Sequence, residues 1–192
     1  MKERRPHAIV VGGTGMLRAA TLGIAARGFA VSVVARSARR LGALAAEAAS
    51  RGGVVRPVCV DYRYADAFAF GLETAVREAG PPSLAVVWAH SVAPDAPIAV
   101  AQAIADAGAR ADFFHVLGSA IADPSMPDDG RAAAFAEFPA LAYHEIILGF
   151  VLGTTTSRWL NEEEISAGVL RAVDSGARQT VVGVVEPWEA RP

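Results

Sequence analysis

Short apolar runs alternate with Ala-rich helical stretches along most of the chain. The runs 8–12 (AIVVG), 30–35 (AVSVVA), 54–60, 84–88 (LAVVW) and 112–117 read as strands. Between them, 15–27, 38–50, 64–79 and 95–108 read as helices. Gly28 stops the first helix, Ser37 is placed to N-cap the second, and Gly80-Pro81-Pro82 ends the third. Strands buried on both faces show as continuous apolar runs, and strand–helix alternation implies a parallel sheet with right-handed crossovers. The predicted class is α/β: a doubly wound, Rossmann-type parallel sheet of about seven strands in a single domain, with helices on both faces.

The last third is less regular. Three prolines in 120–139 predict a loop with at most one short helix, either a substrate lid or a plain surface loop. Residues 145–152 fit a sixth strand, with a helix over 140–150 as the alternative. Residues 153–158 then read as a turn on the binding side. Asn161 followed by Glu164 has the spacing of a capping box and opens a helix over 162–175. Residues 180–185 form the last strand.

Composition narrows the chemistry. The 192 residues carry a net charge of −2, and 53% are hydrophobic. So near-neutral a chain has no field to gather nucleic acid. No apolar run reaches membrane-span length, and the N-terminus does not read as a signal peptide, so a soluble cytoplasmic protein is expected. The apolar fraction leaves room for a homo-oligomer. Lys2 is the only lysine, which leaves no internal lysine for a Schiff base or a P-loop. Cys59 is the only cysteine, which excludes a disulfide framework; in a strand that reads as buried it is expected to be inert core. His144-Glu145 lacks HExxH spacing, and no metal site is expected.

The strongest motif is VVGGTGMLR at 10–18, between a strand and a helix. Gly12 allows a sharp turn, and Gly15 lets the backbone approach a pyrophosphate that meets the amides at the helix N-terminus, with Gly13, Met16 and Leu17 among the expected cofactor residues and Thr14 either capping the helix or donating to a phosphate. Where a third glycine is usual the chain has Arg18, either an extra phosphate contact or a looser helix packing. NAD binders place an acidic residue at the end of the second strand; here that strand ends in Ala35-Arg36-Ser37, with Arg40 close behind. A guanidinium there suits a 2′-phosphate, so NADP(H) is favoured over NAD. Asp61 at the end of the third strand accepts from an adenine or caps a helix, and Tyr62 flanks the ring.

In these motifs, together with Trp88-Ala89-His90-Ser91 and Gly118-Ser119, the chain resembles the short-chain dehydrogenase/reductase superfamily, specifically its short, atypical members. The resemblance implies a cofactor ribose and nicotinamide over Ala89 and His90, and a substrate carbonyl held by Ser119. It also implies a proton donated by a tyrosine, here Tyr143, helped by a lysine four residues on. That position is Ile147, so the family's tetrad does not carry over whole. His90 is the best-placed titratable group, while His115 reads as a satisfied core histidine, and Trp88 and Trp159 as packing residues. The function expected is NADP-dependent reduction of a small carbonyl or imine. The rivals are a non-catalytic NADP(H) sensor and a non-redox isomerase or cyclase.

Overall fold

The computed structural model describes residues 5–123, 130–154 and 156–192. The strands are β1 (His7–Val11), β2 (Ala30–Ala35), β3 (Val54–Cys59), β4 (Pro82–Val87), β5 (Ala111–Gly118), β6 (Leu141–Leu148), β7 (Phe150–Leu152), β8 (Ser157–Trp159) and β9 (Gln179–Val182). The helices are α1 (Arg18–Ala26), α2 (Ala38–Ser50), α3 (Ala65–Ala79), α4 (Ala96–Asp106), α5 (Arg131–Ala136) and α6 (Glu162–Ser175). Seven strands form one sheet in the order β3-β2-β1-β4-β5-β6-β9, and every pairing in it is parallel. The chain winds outward from β1 to β3, then returns to the centre and winds the other way from β4. Its switch point lies between β1 and β4.

The period of two along each strand sorts the core into two layers. Ala8 and Val10 of β1 face a cluster with Leu41 and Leu44 of α2 and Val169 of α6. Ile9 and Val11 face the opposite cluster with Leu72 of α3, Ile104 of α4 and Phe135 of α5. Strand β5 divides likewise, Phe114 and Val116 to the first layer and Phe113 to the second.

Several boundaries differ from the sequence reading. Helix α1 begins at Arg18, three residues late, because the glycines of the turn hold residues 13–17 out of helical hydrogen bonding. The sixth strand runs over 141–148, not 145–152, and no helix covers 140–150. The chain breaks at Gly149, where a Cβ would stand 2.0 Å from the Val184 carbonyl oxygen. Beyond it, β7 pairs antiparallel with β8 in a separate two-stranded sheet, so the predicted turn over 153–158 is partly strand. The last strand ends at Val182, and Val184 instead bridges Phe150. Residues 119–122 form a 3-10 turn and 131–136 a short helix. The rest of the predicted lid, 124–129, lies outside the described residues. Cys59 is exposed, not core, because β3 is an edge strand with open positions. Trp159, on the small sheet, is 49% exposed and is not a packing residue.

The capping box of α6 forms as its spacing predicts. The Asn161 side chain accepts from the Glu164 amide, and the Glu164 carboxylate accepts from the Asn161 amide. Arg158 donates to both Glu164 oxygens at 2.8 Å. That bond first, and the Asn161 amide second, lower the Glu164 pKa from 4.5 to about 2. A pKa depressed by folding adds stability that is complete above the unfolded value and is lost as pH falls through the folded one. The wild-type melting temperature should therefore carry a Glu164 component that fades between pH 4.5 and about 2. Glu164→Gln should flatten that part of the profile. Asn161→Ala should cost about 1 kcal/mol at neutral pH.

Candidate functional site

At the switch point the Gly12 amide donates to the Val34 carbonyl, and the Trp88 amide donates to that of Val11. Gly12 has φ +81°, and a Cβ there would approach the Trp88 carbonyl oxygen to 3.0 Å. Only glycine lets the turn pass so close to the end of β4. Above this point is a cavity of about 360 Å³. Gly12, Thr14, Gly15 and Met16 line one end of it, and Arg36, Ser37 and Arg40 the other. Ser37 accepts from the Arg40 amide, which fixes the start of α2 at that end. Tyr62 and His90 also line the cavity, and the Tyr62 hydroxyl accepts from the His90 amide at 3.4 Å.

Other predicted cofactor residues stand elsewhere. Gly13 is packed into the core: a Cβ would fall 2.7 Å from Thr21 Oγ1 and 2.8 Å from Val33 Cγ1. The Leu17 side chain is fully buried, so its part at this site is confined to its backbone. Arg18 ion-pairs with Glu47 of α2, which settles neither of the roles weighed for it in favour of a phosphate. Asp61 accepts from the amide and guanidinium of Arg63, chiefly the latter, and these bonds hold its carboxyl below the usual carboxylate range. That fits the turn into α3 and not the lining of the cavity.

A second cavity, about 630 Å³, lies beside the first. Trp88 and His90 line both. Ala89 belongs to the second, whose walls are largely apolar: Pro97 and Ile98 of α4, Leu117 of β5, Ile121 and Phe135. The Trp88 ring reaches from the glycine turn toward Gly118, where a Cβ would meet its Cη2 at 4.0 Å. Two compartments, one basic and glycine-edged, one apolar, therefore meet over the ends of β1, β4 and β5. Ligands of doubly wound sheets bind in this place.

No family model and no curated protein matches the chain. Solved structures do. A Serratia marcescens short-chain dehydrogenase/reductase is 18% identical, with a TM-score of 0.71, over 93% of this chain and 96% of its own. A Mycobacterium marinum short-chain type dehydrogenase/reductase is 18% identical, with a TM-score of 0.72, over 95% of both chains. The chain has the fold of the short-chain dehydrogenase/reductases. An alcohol dehydrogenase from Thermococcus sibiricus, complexed with 5-hydroxy-NADP, is 17% identical, with a TM-score of 0.71, over 93% and 95% of the two chains.

On this short-chain dehydrogenase/reductase fold the candidate catalytic residues are spread out. His90 is exposed at the junction, its ring edge-on to Trp88. Ser119 follows β5 and is buried; its neighbours Gly118 and Ala120 line the second cavity, and it does not. Tyr143 lies in the amino-terminal half of β6, opposite Phe113, with its ring stacked on Phe135 at 4.1 Å. Its hydroxyl meets His115 Nδ1 at 3.0 Å and donates to Glu145 Oε1 at 3.3 Å. Burial first, and the Glu145 charge second, raise its pKa well above 10, so the phenol stays protonated. Position 147 carries a buried isoleucine, and no cation lowers the tyrosine from there.

Sequence reasoning missed Val34, Ala35 and Glu162 in the first cavity and His115 in the second, and it took Trp88, which lines both, for a packing residue. Val34 and Ala35 directly precede Arg36, and Trp88 directly follows β4, so strand ends would have found them. Glu162 had no such signal. It reaches the glycine turn because α6 packs on α1, where Ser166 Oγ donates to the Met16 carbonyl at 2.7 Å. Among the described residues, no cluster of His, Cys, Asp or Glu could hold a metal ion, and no helix is long and apolar enough to cross a membrane.

Proposed function

We propose that the protein is an NADP-dependent oxidoreductase, an atypical short-chain dehydrogenase/reductase, that reduces a small carbonyl or imine compound. One observation carries this reading: a single cavity joins the open face of Gly15 to the guanidinium-bearing end at Arg36 and Arg40. A Cβ on Gly15 would meet nothing within 4 Å, so the backbone there is open to a ligand. The turn and the amino end of α1 would hold a pyrophosphate on backbone amides. Arg36, Ser37 and Arg40 would hold a 2′-phosphate, and the nicotinamide end would reach Ala89 and His90 at the junction. NADPH supplies the hydride when bound. The NADP analogue in the Thermococcus sibiricus relative supports the same cofactor class.

The apolar compartment then takes the substrate. His90 contacts it from the junction, and Ser119 holds the Gly118–Ala120 wall in place. A titration with NADPH and, separately, NADH tests the reading, followed by quenching of Trp88 emission in a Trp159→Phe/Trp188→Phe background. Tight NADPH and weak NADH binding are expected; no binding of either overturns it. With a substrate in hand, His90→Ala and Ser119→Ala should each lower turnover.

The buried Ile147 where a lysine would assist Tyr143 favours the second reading, a non-redox enzyme or a sensor on the same fold. Bound NADPH that no carbonyl or imine substrate oxidises would favour it over the reductase.

A further inference from the structure

The first cavity holds a carboxylate that the phosphate contacts leave unused. Helix α6 lies along α1 with one face. Leu170 packs on Gly23, where a Cβ would stand 2.7 Å from Leu170 Cδ1, and Ser166 Oγ donates to the Met16 carbonyl. Glu162 comes four residues before Ser166 and eight before Leu170, so it continues that face. One further turn carries it about 6 Å past the Met16 contact, beyond the amino end of α1. There it lines the cavity with Thr14, Gly15 and Met16. Two other glutamates share its turn. Glu164 is bound to Arg158 and the Asn161 amide, and Glu163 is exposed outside the cavity. The Glu162 carboxylate has neither ion pair nor hydrogen bond among the described residues.

Strand order fixes the side from which it approaches. Helices α2, α1 and α6 share one layer of the sheet. Helix α2 leads to β3, on one flank of β1, and α6 leads to β9, on the other. Arg36 and Arg40 therefore stand on one side of the glycine turn. Glu162 stands on the other, the side of Trp88 and His90 after β4. A dinucleotide with its 2′-phosphate at Arg36 and its diphosphate over the turn presents its second ribose to this carboxylate. A carboxylate only accepts hydrogen bonds. A diphosphate has none to give and carries the same sign of charge. A ribose offers two adjacent hydroxyls, for which a carboxylate is a recurrent partner. We propose that Glu162 is a cofactor-binding residue that accepts from the hydroxyls of the nicotinamide ribose and so fixes the nicotinamide half over the junction of the two cavities. The proposal rests on the NADP(H) reading above. The two ends of the cavity then select opposite chemistry, guanidinium for the phosphorylated ribose and carboxylate for the free diol.

The test is calorimetric titration of wild type, Glu162→Ala and Glu163→Ala with three ligands, in the presence of a chelator. The ligands are 2′,5′-ADP, which lacks the second ribose, 2′-phospho-ADP-ribose, which has it without nicotinamide, and NADPH. Glu162→Ala should weaken NADPH and 2′-phospho-ADP-ribose by the same factor, about fivefold or more, and move 2′,5′-ADP by less than about twofold. Glu163→Ala removes the same charge from the same turn and should move none of them by more than about twofold. Melting curves check that both variants fold, since the capping box of Asn161 and Glu164 is intact in each. Tighter binding by Glu162→Ala would mean that the carboxylate repels the diphosphate, and it overturns the proposal. So does a loss confined to NADPH, a loss shared by 2′,5′-ADP or by Glu163→Ala, or no change. A loss that appears only when Mg²⁺ replaces the chelator would assign the carboxylate to a cation bridge and also overturns it. Wild-type protein that binds none of the three ligands removes the NADP(H) reading and this assignment with it; wild-type binding with any of the other overturning results removes this assignment alone.

Discussion

Replacing Arg36 by alanine is expected to weaken NADPH binding by roughly 10- to 100-fold and to leave NADH almost unchanged. Hydrogen bonds to a charged group contribute about 1.5–3 kcal/mol, and about 1.4 kcal/mol is tenfold in affinity. Arg36 stands at the end of β2 and ion-pairs with no carboxylate among the described residues, so its fork is not already committed. Ser37 and the first turn of α2 complete that end of the cavity. Because Arg36 is exposed, the contact should also weaken with salt. Isothermal titration of wild type and Arg36→Ala with both nucleotides, at low and high ionic strength, checks this. Equal weakening of NADPH and NADH would remove the 2′-phosphate assignment.

The second large effect separates two glycines of one motif. Gly13→Ala should lower stability by roughly 1–3 kcal/mol, the usual cost of forcing a methyl into a packed core. The methyl would meet Thr21, Val33 and Val10, all buried, at 2.7 to 3.0 Å. For a chain of this length that is a fall of roughly 2–12 °C in melting temperature. Gly15→Ala should leave the melting temperature nearly unchanged, because its methyl would point into open space. It should instead weaken NADPH binding, since the methyl would occupy the ligand's approach to the backbone. Melting curves and titrations on both variants give opposite patterns if the two roles are as described. A stable Gly13→Ala protein would mean that the turn is looser than its contacts indicate.

Most of the fold could be read from local pattern. The runs at 30–35, 38–50 and 162–175 have the observed limits of β2, α2 and α6, because an apolar run, a Ser37 cap and a capping box are each signalled within a few residues. The glycine turn and Arg36 were legible for the same reason. Both lie at strand ends, and in a parallel sheet the carboxyl ends of successive strands share one edge.

What the sequence could not decide depends on neighbours far along the chain. Cys59 looked buried because its run is apolar, but only strand order makes β3 an edge. The apolar stretch 145–152 looked continuous, but Val184 passes so close to Gly149 that the strand breaks there. Thr14 and Gly15 face the cavity while Gly13 faces the core, a difference set by the turn's path against β2 and α1. His115 read as a satisfied core histidine, and it does have a partner. Only the β5–β6 register shows that Tyr143 is a partner, that Glu145 stands behind it, and that the same ring borders the apolar cavity. Local hydrophobic period and capping are written in adjacent residues and so determine the elements. Strand order, register and close backbone approach bring together residues far apart in the chain, and only the tertiary structure decides them.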